Sequence, residues 1–152
     1  MPCVEGVTGR RVKVVFILAW LLVASLFIFH ASLLFEVAWQ IRVFVPRLML
    51  HLGPRSAGKA IILGCFVVLL FAHLAEAMAW GLLLWRAGLA PSFSEGVYFS
   101  ATSMTALGYG DVVLPPPWRL LGPLAAISGL LMFGCSTAFL FVVIQAVWES
   151  QR

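Results

Sequence analysis

A short segment, Thr105-Ala106-Leu107-Gly108-Tyr109-Gly110-Asp111, has the residue types and spacing with the clearest chemistry in the chain. Gly108 and Gly110 alternate with larger residues and can adopt positive φ at little steric cost. When alternate residues take such dihedrals, successive carbonyl oxygens can be aimed at a cation that has lost its hydration shell. Tyr109 would pack outward and hold the segment, and Asp111 would attract cations or accept hydrogen bonds behind it. The pattern predicts cation coordination by backbone oxygens.

A second group of functional side chains lies upstream. His73 and Glu76 are three residues apart and Trp80 is one turn further, so a helix places all three on one side. The spacing allows a satisfied structural pair or a proton sensor that uses His73. A metal site is disfavoured, because two ligands do not make one. His30 and Glu36 are six residues apart and do not share a helix face, so the sequence predicts no larger cluster.

The composition places these residues in a membrane. Of the 152 residues, 62% are hydrophobic and only 11% are charged, whereas a soluble domain carries about 25% charge. The net charge of +4 comes from basic residues between apolar runs, which is typical of membrane flanks and not of a nucleic-acid-binding surface. The three cysteines, Cys3, Cys65 and Cys135, have no metal-ligand spacing.

Three segments are long enough to cross a bilayer, which takes about 20 apolar residues in a helix. They are Val14–Phe35, Ala60–Trp85 and Leu120–Val147. The first could also be a signal peptide, since basic residues precede it, but its apolar stretch exceeds the usual length. The sequence therefore predicts an all-α membrane protein with three transmembrane helices.

The two connections differ in kind. Residues 42–59 hold four basic residues and the breakers Pro46, Gly53, Pro54 and Gly58, which predict a loop. The second connection contains Ser92-Phe93-Ser94-Glu95, a capping box that predicts a helix start. A helix over 92–105 is too short to span, and the prolines 115–117 prevent its continuation. This arrangement predicts a re-entrant loop, with non-helical backbone lining a cavity or buried in protein.

The segment 105–111 and its context resemble the potassium channel family, whose signature is Thr-Thr-Val-Gly-Tyr-Gly-Asp. Five of the seven positions are identical, and the resemblance extends from about Ser92 to Gly134, more loosely from Ala60 to the end. It implies a passive channel in which Thr105–Asp111 is the selectivity filter and potassium is the permeant ion. One chain supplies one loop and a ring of carbonyls needs four, so a homotetramer is expected.

The resemblance also assigns supporting roles. Gly129 and Gly134 correspond to the region of an inner-helix hinge, with close packing as the alternative for Gly129. Thr102 stands where some members place a glutamate, and we expect Glu76 to supply the missing hydrogen bonds and brace the pore helix together with Trp80. Ala106 replaces a threonine whose hydroxyl helps form the innermost ion site. Threonine is expected to fit position 106, because it favours an extended backbone.

These features give two domains: residues 1–59, a transmembrane helix with its basic loop, and residues 60–152, a pore domain. The pore domain comprises an outer helix 60–86, pore helix 92–105, filter 105–111 and inner helix 118–148. The expected protein is multi-pass in the plasma (inner) membrane, in contact with lipids. It has no cofactor, no metal beyond permeant potassium and no nucleic-acid partner; hetero-subunits are left open.

Orientation follows from the filter and not from charge, since five basic residues fall on each side. Those expected inside are Arg42, Arg47, Arg55, Lys59 and Arg152, and those outside are Arg10, Arg11, Lys13, Arg86 and Arg119. Tryptophans 85 and 118 would mark the outer interface and Trp148 the inner one. The alternative function is a non-conducting or weakly selective channel-like subunit that regulates other membrane proteins. An enzyme is a more distant alternative, because His73 and Glu76 have no nucleophile nearby.

Overall fold

The protein is all-α in a computed structural model that describes residues 3–149; Arg152, predicted inside, lies outside the described residues. Four α-helices follow one another and no strand occurs in this part of the chain. Their bounds are α1 Cys3–Leu52, α2 Pro54–Arg86, α3 Phe93–Met104 and α4 Leu121–Glu149. A single 3₁₀ turn, Trp118–Leu120, leads into α4.

The three long helices confirm the predicted spans. Gly9–Phe44, Pro54–Arg86 and Trp118–Glu149 are each long and apolar enough to cross a membrane. Large apolar side chains on these helices face outward; Phe35 is 79% exposed, Phe71 65% and Phe141 60%. Such an apolar exterior suits hydrocarbon and explains why so few charged residues are needed.

The basic connection expected over residues 42–59 is wrong. The first helix continues to Leu52, and α2 begins at Pro54, so only Gly53 separates them. Gly53 has a φ of +75°, which glycine adopts without a Cβ clash, and proline is favoured in the first turn of a helix. Arginine and leucine are good helix formers, so one Gly-Pro pair accounts for the whole break.

The chain divides into two compact units. The first comprises the chain up to Phe27 with Leu74–Leu131, and the second comprises Ile28–His73 with the chain from Met132. The core of the first unit includes the fully buried side chains Trp80, Leu84, Met104 and Leu121. The second has a cluster formed by Ile61, Cys65 and Val143, against which Val37, Ile41 and Leu140 pack. The segment 105–111 lies in the first unit.

Candidate functional site

The short helix α3 begins where the capping box predicts it. Ser92 is the N-cap residue in an extended conformation, and its Oγ accepts a hydrogen bond from the Glu95 backbone N–H over 3.2 Å. The observed helix, Phe93–Met104, agrees with the predicted 92–105 to within one residue at each end. Local hydrogen bonding therefore sets this helix start.

Two glycines bring α3 against α2. A Cβ on Gly96 would lie 2.6 Å from the Gly81 carbonyl oxygen, and a Cβ on Gly81 would lie 2.6 Å from the Val97 nitrogen. The two backbones are thus in direct contact, as small residues permit in membrane helices. The sequence analysis did not identify the Gly81–Gly96 approach.

The C-terminal end of α3 folds back on itself. The carbonyl of Thr102 accepts hydrogen bonds from the Leu107 and Gly108 N–H groups at 2.9 and 3.1 Å, and the Ala106 N–H donates to the Ser103 carbonyl at 2.9 Å. This is the hydrogen-bond pattern of a Schellman cap, which requires a left-handed residue after the helix. Ala106 is that residue, with a φ of +56°.

The prediction that position 106 suits an extended threonine is therefore wrong. Cap formation by the carbonyls of α3 requires positive φ at this position, whereas sequence reasoning assumed an extended strand. The Cβ of alanine makes positive φ unfavourable, and a β-branched residue at positive φ would be a genuine outlier.

Left-handed residues alternate along the segment. Besides Ala106, Gly108 has a φ of +51° and Gly110 a φ of +79°, whereas Leu107 and Tyr109 keep negative φ. Alternation of this kind allows successive carbonyl groups to turn toward one side, as coordination along a single ion path requires. Leu107 and Tyr109 are 54% and 67% exposed in the isolated chain.

Asp111, at the end of the segment, is tied to the middle of α3. Tyr98 Oη donates a hydrogen bond to Asp111 Oδ2 over 2.6 Å, and Asp111 Oδ1 accepts from the Val112 N–H over 3.1 Å. The hydrogen bond from Tyr98 lowers the pKa of Asp111, and the same bond raises the pKa of Tyr98 to about 12. The carboxylate is therefore kept ionised.

The sequence analysis did not identify Tyr98; on α3 it considered only Thr102, which stands where some members of the resembled family have a glutamate. The Thr102 hydroxyl instead donates within α3, to the carbonyls of Tyr98 and Phe99, both at 3.0 Å. Tyr98 is one turn before Thr102 and shares its helix face. The shared helix face was therefore the signal in the sequence that pointed to Tyr98 as a hydrogen-bond donor to Asp111.

Glu76 and Trp80, the other proposed supports of the segment, are both fully buried on α2. Bracing of α3 by Glu76 stays a prediction. Trp80 Nε1 has no hydrogen-bond partner among the residues that the structure describes. The indole therefore contributes apolar packing to the first unit.

The glycines proposed as a hinge have different surroundings in α4, which is unbroken from Leu121 to Glu149. A Cβ on Gly129 would lie 2.5 Å from the Met104 carbonyl oxygen, at the end of α3. No atom lies within 4 Å of the corresponding Cβ position at Gly134. Gly129 thus serves close packing beneath the candidate filter, and the hinge role stays a prediction that fits Gly134 better.

The N-terminal part of α1 contacts the end of α2 and the turn before α4. The last turn of α2 closes with a Schellman cap, in which Gly88 has a φ of +69° and donates to the Trp85 carbonyl. This cap leaves the Ala87 carbonyl available, and Arg11 Nη2 donates to it over 2.6 Å.

Phe16 stacks on Trp118 with ring centroids 6.3 Å apart. Trp118, expected at the membrane interface, is 9% exposed and belongs to the protein interior.

A polar cluster occurs separately in the second unit, where sequence reasoning predicted none. Ser136 Oγ lies 3.0 Å from His73 Nε2 and 3.0 Å from His30 Nε2. The two imidazole rings stack, with centroids 5.2 Å apart. Helix spacing alone could not show that α1 and α4 contribute to the surroundings of His73.

Comparison with known proteins assigns the family. The family described as "Ion channel" matches residues 63–146, which contain all of α3, the segment 105–111 and most of α2 and α4. No curated protein and no solved structure matches the chain significantly. With its three apolar helices and a matched region covering more than half of its length, this multi-pass membrane protein belongs to the ion channel family.

Proposed function

We propose that the protein is a subunit of a passive, potassium-selective channel in the plasma (inner) membrane, with Thr105–Asp111 as its filter. The observation that carries the proposal is the alternation of positive φ at Ala106, Gly108 and Gly110, directly after the end of α3. Carbonyl oxygens directed to one side can replace the hydration shell of a monovalent cation. Potassium, rather than cations in general, is supported by the Gly-Tyr-Gly-Asp signature.

Electrostatics at both ends of the segment favour a cation. The C-terminal end of α3, which carries partial negative charge, lies immediately before the segment. The ionised Asp111 is the last residue of the segment and accepts a hydrogen bond from Tyr98. A cation thus meets a negative group at each end of the carbonyl path.

The functional unit is proposed to be a homotetramer. One chain presents one filter segment, and its apolar residues Leu107 and Tyr109 are more than half exposed. Irregular backbone at membrane depth must be buried in protein or line an aqueous cavity. Three further copies around an axis would cover these side chains and complete the ring. Native mass spectrometry should show four chains, and a stable dimer as the sole species would contradict this stoichiometry.

Ion flux in liposomes tests the function. Purified protein should conduct potassium down its gradient, with much less flux of sodium under the same conditions. Gly108→Ala, which forces a Cβ onto a residue with φ +51°, should abolish flux. Gly64→Ala is the matched control, because Gly64 lies within α2 with no atom within 4 Å of a Cβ position and should retain flux.

Two results would favour a different function. Equal potassium and sodium flux would show a weakly selective cation channel, which the absence of a threonine hydroxyl at Ala106 would explain. Intact tetramers without flux of either ion would favour a regulatory subunit of other membrane proteins.

A further inference from the structure

We propose that a cavity in the second unit, between the first turns of α2 and the last turns of α4, binds one anionic phospholipid. The cavity has a volume of about 240 Å³, whereas a water molecule occupies about 30 Å³ in the liquid, so a polar headgroup can enter it. Its lining includes Arg55, Lys59, Ile62, Ile144, Val147 and Trp148. This inference does not depend on the proposed function, because neither the cavity nor its test involves ion conduction.

The cavity lies at a membrane boundary. Lys59 directly precedes the apolar run 60–85 of α2, and Arg55 is one turn earlier. Trp148 directly follows the apolar run 120–147 of α4. Phospholipid headgroups lie at the edge of the hydrocarbon, where the indole of tryptophan is also favoured. The two helices therefore bring basic and aromatic side chains together at the level of the headgroups.

The positive charges of the cavity are not neutralised by the protein. Arg55 and Lys59 are four residues apart on α2, so they share a helix face. Both are exposed, and within residues 3–149 neither side chain has a hydrogen bond or an ion pair. Glu149 adjoins Trp148 in the chain but does not line the cavity. An anion is thus the complementary occupant, and arginine and lysine are both suited to phosphate oxygens.

The remaining walls of the cavity are apolar. Ile62 and Val147 pack against the buried core cluster of the second unit, and Ile144, on α4, is 44% exposed. An acyl chain can lie along these side chains as it enters the bilayer, while the phosphate stays beside the basic residues. Because only a lipid uses both parts of the cavity, an anionic phospholipid fits it better than a free phosphate does.

A lipid in this cavity would contact α2 and α4 at once. It would therefore hold the beginning of one helix against the end of the other within the second unit. Since a ligand that binds only the folded arrangement stabilises it by mass action, the lipid should raise the melting temperature of the protein.

Lipid binding to the full-length protein in detergent tests the proposal. Phosphatidylglycerol is the anionic probe, and phosphatidylcholine with the same acyl chains is the zwitterionic comparison. Native mass spectrometry separates protein with and without bound lipid, and a titration gives the affinity. Arg55→Gln and Lys59→Gln each remove one positive charge from the cavity. Arg42→Gln and Arg47→Gln are matched controls, because Arg42 and Arg47 are exposed basic residues of the same unit that do not line the cavity.

Wild type should bind one phosphatidylglycerol per chain about 25-fold more tightly than phosphatidylcholine, since each basic residue at a membrane surface contributes about 5-fold in affinity for anionic lipid. Arg55→Gln and Lys59→Gln should each lose about 5-fold, and the double variant should bind the two lipids equally. The two controls should keep the affinity of wild type. Inorganic phosphate in large excess should not displace phosphatidylglycerol, because it makes no contact with the apolar walls.

Three results would overturn the proposal. The first is equal affinity of wild type for the two lipids. The second is an equal loss in all four single variants, which would indicate general surface charge instead of the cavity. The third is displacement of the lipid by inorganic phosphate, which would indicate a simple anion site. Should a variant at Arg55 or Lys59 fail to fold, the melting temperature of wild type decides: phosphatidylglycerol should raise it more than phosphatidylcholine does, and equal effects would refute the site.

Discussion

Tyr98 donates a hydrogen bond to Asp111 over 2.6 Å, joining the middle of α3 to the end of the candidate filter across thirteen residues. The bond connects the helix before the segment with the acidic residue at the end of the segment. Both ends of the segment are thereby held by α3: one by the Schellman cap at Ala106 and the other by Tyr98. The geometry of the segment therefore depends on a side chain outside its signature.

Tyr98→Phe should raise the pKa of Asp111, because the hydrogen bond from Tyr98 is the largest cause lowering it. In wild type, the Asp111 contribution to stability is present above its unfolded-state pKa and is lost as pH falls through its lower folded-state pKa. In Tyr98→Phe, acid inhibition of ion flux should therefore begin at a higher pH. The pH profile of flux measures this shift.

The control for that profile is Ser94→Ala, which removes a hydroxyl from the first turn of α3 without touching Asp111. Its acid limb should coincide with that of wild type. On the alkaline side, the Tyr98 contribution is present below its unfolded-state pKa and is lost only as pH rises through about 12. Coincident acid limbs for Tyr98→Phe and wild type would contradict the prediction.

Substitutions at position 106 should rank in stability as glycine, alanine and then threonine. Ala106→Gly removes a Cβ at φ +56° and should stabilise by about 0.5–1 kcal/mol, after allowance for the greater entropy of unfolded glycine. Ala106→Thr places a β-branched residue there and should destabilise by about 1–3 kcal/mol.

Thermal unfolding of the three proteins in one detergent gives the ranking, and barium block reports whether a threonine hydroxyl reaches the ion path. A threonine protein as stable as wild type, with tighter barium block, would show that residue 106 is extended and would restore the prediction from sequence.

Gly129→Ala and Gly134→Ala should have opposite effects on stability. The first places a methyl group 2.5 Å from the Met104 carbonyl oxygen, and overpacking of this kind costs about 1–3 kcal/mol. The second adds a methyl group in open space and should stabilise the helix by about 0.5–1 kcal/mol. If Gly134 is the hinge, its alanine variant should also open less often in single-channel recordings. Equal melting temperatures for the two variants would be inconsistent with the packing assigned to Gly129.

Arg11→Met should loosen the end of α2, because the Ala87 carbonyl loses its guanidinium donor. The expected cost is about 1 kcal/mol, the size of a single exposed hydrogen bond. Hydrogen exchange at the backbone amides of Gly88 and Leu89 should become faster, and Arg10→Met is the neighbouring control that should leave it unchanged. Identical exchange in both variants would argue against a capping role for Arg11.

The sequence by itself determined the parts of this protein that depend on local interactions and on the solvent. Runs of apolar residues specify the three spans, since a helix in hydrocarbon satisfies its own backbone. Ser92 and Glu95 specify the start of α3, because an N-cap bond closes within three residues. The break at Gly53-Pro54 was contained in the sequence too, but too many other residues were interpreted as breakers.

Only the tertiary structure decided the rotation and register of the helices, and with them the contacts between distant residues. His30 and His73 share Ser136 although 43 residues separate the two histidines, and no periodicity within one helix encodes that meeting. Gly81 meets Gly96 because two backbones cross at that point.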